Sequence, residues 1–344
     1  MKTFEIIIKP LSGFGTPIKG DTLFGHICWH LVYDDKILGM SLTKLLADYA
    51  TNPFLVVSSA YPNLDNGYAL KRPDLPLDKL FNFSNLEQSD IIKKRKDFKK
   101  KIWMHVIKGQ HITTSKSDKL YLSDSELFEK LTNFRNSEIQ RQLRKTGVKS
   151  FILDYTQPHN TINRLTGTTG EGQFAPYFVD YFMYTPDAEL VIFVGLREDI
   201  SIEQLIEVIK KVGETGFGKD ASTGFGRFMV IEYKEIDLFS MGSENPNACY
   251  TLAPCVPEKN IFTKMFFTPF IRFGRHGDIL AKSKNPFKNP VIMADEGAVF
   301  IPVGDMPDKP YIGTPIFNIS KVEPDAVSQG YSLYIPIKME DVNE

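Results

Sequence analysis

Apolar positions along the chain change period in a way that marks its elements. Phe4 to Lys9 reads as a short strand. Asp21 is a good N-cap, and the pattern predicts a helix from there to about Tyr33. Leu23, Phe24, Ile27, Cys28 and Leu31 form one apolar arc on it. Trp29 and Val32 fall outside that arc, so the helix is apolar nearly all round and should be buried between two layers, the second being the basic insertion described below or a partner subunit. A short helix over Leu42–Tyr49 and a strand over Phe54–Val57 follow. Residues 174–184 and 189–196 are strand-like, and Thr185-Pro-Asp-Ala188 between them predicts a hairpin. Ser201-Ile-Glu-Gln204 is a capping box, and Ile202, Leu205, Ile206, Ile209 and Val212 recur at helical spacing. Gly213 is a natural helix stop. Phe228–Tyr233, rich in aromatic and β-branched residues, reads as a strand.

Helix, glycine-rich loop, strand suits the last βαβ step of a ferredoxin-like (RRM-like) unit. The expected fold is α+β, with two ferredoxin-like domains. The first spans 1–235, and residues 61–150, with Pro62, Pro73 and Pro76 and then a basic, mostly helical stretch, read as an insertion in it. Residues 236–247 read as a linker. The second unit, 248–344, predicts strands at 248–253, 264–273, 290–294, 298–303 and 331–338 and no long helix. No tandem repeat at a fixed period occurs.

Four stretches carry candidate chemistry. The first is Gly216-Phe-Gly-Lys-Asp-Ala-Ser-Thr-Gly-Phe-Gly226, in which two glycine–aromatic–glycine triplets flank five small or polar residues. Gly216, Gly218, Gly224 and Gly226 allow positive φ and close approach of a ligand to bare amides. Lys219, Ser222 and Thr223 add donors suited to an anion. Gly213 to Lys219 has P-loop spacing, but Asp220 stands where Ser or Thr is required; Gly216 to Ala221 fits GxGxxA. Both nucleotide motifs need a strand before the loop and a helix after it, the reverse of the order here. A surface hairpin with an irregular turn is the plain alternative. The second stretch, Ser12 to Gly20 with Gly13, Phe14, Gly15, Thr16, Pro17 and Lys19, joins the first strand to the first helix, whose amides can take an anion. The third, Pro158 to Gly170, holds His159, Asn160, Asn163 and Arg164 among threonines, groups suited to phosphate, sugar and base edges. The fourth is Arg272-Phe-Gly-Arg-His-Gly277, with Arg275 and His276, facing either RNA or a neighbouring subunit.

Charge alters the picture more than composition does. The 344 residues carry a net charge of −1, weak ground for a nucleic-acid partner. Residues 93–149, however, hold 16 Lys or Arg against 6 Asp or Glu, a local +10, leaving −11 elsewhere. Seven cations lie within the nine positions 93–101. Such a run reads either as a solvated face or as an electrostatic footprint for RNA. Trp103, His105 and His111 follow it and could stack on bases.

Three cysteines without CxxC spacing argue against a disulfide framework or zinc ribbon. His26 and His30 share a helix face but have no local third ligand; packing is the expected role, and no metal or cofactor is expected. No apolar run is long enough to span a membrane, and no signal-peptide core is evident, so a cytoplasmic location is expected. Acid–base RNA cleavage remains a rival, with His159 or His276 as candidate groups and Asp21 and Asp220 as metal or base residues. A scaffold with incidental RNA contact is a third reading.

The pattern GhGxxxxxGhGxh (h, hydrophobic) over Gly216–Phe228 resembles the RAMP superfamily of CRISPR RNA-binding proteins. Gly15-Thr-Pro-x-x-Gly-Asp-Thr-Leu-Phe-Gly25, Asn285-Pro-Phe-Lys-Asn-Pro290 and Gly297-Ala-Val-Phe300 are similar to the fourth-subunit family of Csm (type III-A) effector complexes. Ile162-x-Arg-x-Thr-Gly167 is a stretch that related chains often carry. The resemblance implies a non-catalytic RNA-binding subunit in antiviral defence. It would cap the 5′ repeat-derived handle of the crRNA and link the large Cas10-type subunit to the backbone RAMP subunits. The first two loops would then line one face and clamp one RNA strand without needing to touch, with Phe14, Phe217 or Phe225 stacking on bases or anchoring the loop.

Overall fold

The computed structural model describes residues 1–84, 87–112, 119–132 and 137–339. Parts of the basic segment (113–118, 133–136) and the last five positions of the second unit (340–344) lie outside the described residues. The first half runs β1 (Lys2–Pro10), α1 (Gly20–Tyr33), α2 (Leu42–Ala47), β2 (Leu55–Leu64), β3 (Gly67–Lys71), α3 (Leu77–Leu80), α4 (Gln88–Lys100), β4 (Lys101–Ile107), β5 (Tyr121–Ser123), α5 (Asp124–Thr132), α6 (Ser137–Thr146), β6 (Ile152–His159), β7 (Tyr177–Tyr184), β8 (Leu190–Leu196), α7 (Ile202–Thr215) and β9 (Phe228–Ile236). The second half contributes β10 (Ala248–Thr251), β11 (Phe262–Phe266), β12 (Pro269–Arg272), β13 (Val291–Ala294), β14 (Val299–Pro302), β15 (Tyr311–Gly313) and β16 (Tyr331–Ile337).

Seven strands form one sheet in the order β5-β4-β3-β2-β8-β1-β9. Within it β2-β8-β1-β9 pair antiparallel throughout, with α1 and α7 as the connecting helices. β8 is buried at every position, as its unbroken Leu-Val-Ile-Phe-Val run requires. The segment expected as an insertion from residue 61 begins as sheet instead: β2 continues to Leu64, and β3, β4 and β5 extend the same sheet outward. β7 does not pair with β8 as expected. It forms a separate two-stranded ribbon with β6, in register from Ile152↔Tyr184 to His159↔Tyr177.

Local punctuation also differs from expectation. Asp21 is not the N-cap of α1; Lys19 is, and Asp21 lies buried in the first turn. Gly213 lies inside α7, where a Cβ would strike the Phe228 carbonyl, so that glycine serves a close helix–strand crossing. The helix ends at Gly216, with φ of 96°. Ser201 caps α7 through the Glu203 amide at 3.2 Å rather than through Gln204.

The second half is a five-stranded sheet, β11-β14-β10-β16-β15, plus the ribbon β12-β13, with 3-10 turns and no α-helix among the described residues. Its core is continuous with the first: Tyr250, Leu252, Leu333 and Ile335 join the same buried cluster as Ile6, Phe24 and Val194. The junction is polar where backbone demands it. β2 bulges between Val57 and Ala60, and buried Gln329 closes the gap, accepting from the Val57 amide at 2.8 Å and donating to its carbonyl at 2.7 Å. The second layer against α1 is therefore the second half of the chain, with Trp29 beside Gly277. Val32 is exposed.

Candidate nucleic-acid interface

The loop 12–19 leaves β1 and immediately pairs with the β6–β7 ribbon. The Phe14 amide donates to Phe182 O at 2.7 Å and Phe182 returns the bond at 2.9 Å. Phe14 is thereby buried, as is Phe217. Neither can stack on a base; both anchor their loops. Phe225 is partly exposed, and its ring lies 4.2 Å from that of Tyr181, nearly parallel at 19°.

The two glycine loops interlock. The Gly226 amide donates to Gly13 O at 2.8 Å, Lys219 N to Thr16 Oγ1 at 3.0 Å, and Arg227 N to Ser12 Oγ at 2.9 Å. Within the second loop Phe217 N reaches Gly226 O at 2.9 Å. A Cβ on Gly218 would press on Thr16, and one on Gly226 on the Phe217 backbone. Gly216, Gly218, Gly224 and Gly226 have φ of 96°, 76°, 100° and 71°. These glycines chiefly let two loops weave together. The picture of a bare-amide cradle is corrected: most loop amides are already spent on protein acceptors. Only Gly224 opens onto free space.

His26 locks the weave from below. The Gly218 amide donates to its Nε2 at 3.0 Å, so the imidazole is neutral with the proton on Nδ1. Burial, and then neighbouring His30, push its pKa down to about 4. His30 contacts Thr215 Oγ1 at 3.2 Å, and no metal-holding cluster exists among the described residues.

Tyr181 of β7 draws in the third stretch. Its hydroxyl donates to Asp220 Oδ2 at 2.6 Å, and His159 Nε2 lies 3.2 Å from the Tyr181 phenol oxygen. With the phenol proton committed to the carboxylate, His159 is the donor in the second contact. The Asp220 bond leads the causes that push the phenol up to about 12. Asp220 holds a left-handed φ of 60°, tolerated by Asp and fixed by this bond. Lys219 Nζ lies 5.4 Å from the Tyr181 ring centroid, and His159 stacks at 5.5 Å on exposed Tyr177. At the ribbon tip Asn163 sets the turn, taking the Leu165 amide on Oδ1 at 2.9 Å. Asn160, Arg164 and Leu165 are exposed there, as are Pro17, Lys219, Ser222 and Thr223 on the loops. Three of the four stretches thus share one surface: exposed Tyr177 and partly exposed Phe225 supported by buried Tyr181 and edged by hydroxyls and cations, groups suited to phosphate and ribose of a single strand.

The fourth stretch does not join it as a free surface. Arg272 is bidentate to buried Asp21, at 2.6 and 2.8 Å. His276 is buried, with Nε2 2.7 Å from Ser320 Oγ, and burial followed by Lys288 lowers its pKa. Of its basic residues Arg275 alone is exposed, with its guanidinium over Phe287; Phe273 beside it is exposed as well. Lys19, expected to meet RNA, is turned inward onto Asp295 and Glu296, the latter at 2.9 Å. Burial pushes Glu296 up to about 7 while Asp295 is held low by its hydrogen bond to Glu296 and by Lys19 and Lys71. Trp103 and His111 are likewise occupied, by Asp124 and by Gly242 O. Sequence reasoning missed His26 as an acceptor and Tyr181 altogether; nothing in the local sequence around Tyr181 marks it.

The whole chain superposes on known structures. A chain in the crystal structure of a Csm3–Csm4 subcomplex of the type III-A CRISPR–Cas interference complex matches with a TM-score of 0.55 and 16% identity, covering 98% of this chain and 99% of that one. The fold is that of a type III-A CRISPR complex subunit. Csm1–Csm4 cassettes in complex with pppApA and with cA4 contain chains matching at TM-scores of 0.53 and 0.52, with 14% and 12% identity and the same coverage. No protein-family model and no curated protein matches the sequence. Among the described residues no helix is long and apolar enough to cross a membrane.

Proposed function

We propose that this chain is the RNA-binding, non-catalytic subunit of a Csm-type complex that holds the 5′ repeat-derived handle of the crRNA and joins a large Cas10-type subunit to the backbone RAMP subunits. The observation that carries the reading is the convergence of loops 12–19 and 216–226 and the β6–β7 tip on Tyr181. Csm4 is the component named in both kinds of matching complex, which supports the placement. The division into ferredoxin-like units at 1–235 and 248–344 belongs to the same proposal; it rests on the β2-β8-β1-β9 order in the first half and needs loops in place of helices in the second. RNA contact falls to Lys219, Arg164, Asn160, Ser222, Thr223 and the exposed edges of Tyr177 and Phe225, with backbone phosphates setting affinity. The nuclease alternative loses one candidate, because His276 is buried against Ser320.

A 5′-labelled single-stranded RNA carrying a repeat-derived handle tests this, scored by gel shift for binding and by denaturing gel for integrity, with and without Mg²⁺. Binding with intact RNA that weakens about tenfold in the pair Lys219→Gln and Arg164→Gln is expected, from two lost phosphate contacts. Cleavage abolished by His159→Ala would replace the proposal with a processing nuclease, and absence of binding would remove it.

A further inference from the structure

Helix α4 carries a cationic face that the interface above does not use. Residues 88–100 read Gln-Ser-Asp-Ile-Ile-Lys-Lys-Arg-Lys-Asp-Phe-Lys-Lys, and Phe98 is the one buried residue among them. At about 100° per residue, Lys93, Lys96, Lys99 and Lys100 occupy an arc of roughly 120° turned away from Phe98, and Arg95 borders it with its guanidinium over Phe83. The two acids, Asp90 and Asp97, lie on its flank. They meet Lys93 at 4.0 Å and Lys100 at 3.3 Å through pairs whose lysines are 79% and 72% exposed, a geometry that contributes little. Arg95, Lys96 and Lys99 have no carboxylate partner among the described residues.

Three observations set this apart from an ordinary solvated face. First, the helix is pinned. Phe98 stacks on Phe81 at 3.9 Å and 6°, and Arg72 holds its last carbonyls, donating to Phe98 O at 2.7 Å and Lys101 O at 2.9 Å. Second, the row opposes helix formation. Arg95–Lys99 and Lys96–Lys100 are like charges at i,i+4, which destabilise a helix unless a counter-charge is present. Third, the cations are segregated in a chain whose remainder is −11. Ile92 is the one exposed apolar side chain in the arc, too little for the aromatic or aliphatic centre of a protein interface. A row of lysines without such a centre matches the repeating phosphates of a nucleic-acid strand.

We infer that α4 is a second, sequence-indifferent binding surface for a nucleic-acid phosphate backbone, separate from the Tyr181 surface. α4 packs against β4, next to the β5 edge of the seven-stranded sheet, whereas the glycine loop leads into β9 at the opposite edge. Six strand spacings separate β5 from β9, about 29 Å. The helix therefore engages a different segment from the one held at Tyr181.

The test titrates the full chain with a fluorescent 30-nucleotide oligouridylate RNA across salt concentrations. The variant combines Lys93→Gln, Lys96→Gln, Lys99→Gln and Lys100→Gln, all at solvated positions, with circular dichroism as the fold control and the pair Lys96→Ala and Lys99→Ala as a second, milder variant. Affinity should fall at least tenfold, and the log–log salt slope should flatten by about 2 to 3 for four phosphates released. Loss from the pair Lys219→Gln and Arg164→Gln should add to it independently. Unchanged affinity and slope in both α4 variants would reduce the helix to a solvated face while leaving the Tyr181 proposal standing. Unchanged RNA binding with lost binding to polyglutamate would reassign the face to an acidic protein and overturn the inference equally.

Discussion

Protonating His26 should undo the weave of the two glycine loops. The imidazole accepts the Gly218 amide on Nε2, and a second proton would place a donor against a donor. Its pKa is pushed from an ordinary 6.5 to about 4. The folded state therefore favours the neutral ring. The associated stability is fully present above about pH 6.5 and is lost as the pH falls towards 4. A shift of that size corresponds to about 3 kcal/mol, of which about 2.5 would be gone at pH 4.5. Part of the ring touches solvent, so this is an upper value. The assay is urea unfolding of the wild-type chain and His26→Gln at a series of pH values from 7.5 to 4.5. Gln offers an amide oxygen to Gly218 but no titration. The carboxylates and the histidines remote from His26 titrate alike in both proteins and cancel in the difference, leaving the coupling to His30 within the measured gap. At neutral pH the wild type should be the more stable, and the gap should close or invert on acidification. Parallel curves across the range would refute the assigned tautomer and the acceptor role.

Gln329→Leu strips both partners from the Val57 peptide at the β2 bulge and should cost about 2 to 4 kcal/mol, read as a lowered urea midpoint. Arg272→Met leaves Asp21 as an unpaired buried carboxylate, with a loss of about 3 kcal/mol that adding Asp21→Asn should largely restore. Thermal melts of the single and double variants check that coupling. Asp220→Asn replaces the charged acceptor that holds the Tyr181 phenol at about 12 by a neutral amide, so its pKa should drop towards 10, measured by the Tyr181 Cζ chemical shift during alkaline titration.

Elements whose signal is local were legible. α7 follows from Ser201 and an apolar repeat at helical spacing, and β1 and β9 follow from their apolar and aromatic runs. Elements whose definition depends on a partner were not. Tyr177–Tyr184 reads as a strand, but its partner is β6, twenty-odd positions upstream in a stretch without strong alternation, rather than the apolar run just downstream. β3 to β5 are strands of three to seven residues on the outer side of the sheet, and the basic helix α4 interrupts them in sequence, so the run reads as an insertion. In the candidate interface the loops were legible as glycine patterns, yet the reason for the glycines was not. Close approach to Thr16 and to the Phe217 backbone is a tertiary fact. Lys19 and Arg272 looked free because their acidic partners, Asp295, Glu296 and Asp21, lie some 250 positions or more away in sequence.

The continuity of the core across the two halves bears on how the chain reaches its native state. β1 closes the sheet against β9, with Thr3 bonded to Ile236 across 233 positions. β2 completes its bulge only when Gln329 arrives, 272 positions later. Contacts of such long range must overcome a large loop-closure entropy before they stabilise anything, and they slow folding accordingly. On a ribosome the first half would emerge with Val57 unsatisfied and with the apolar faces that later meet Leu252, Leu333 and Ile335 still open. The first half thus stays incomplete until β16 docks, and the interval before that is when the nascent chain most needs a chaperone or an assembly partner.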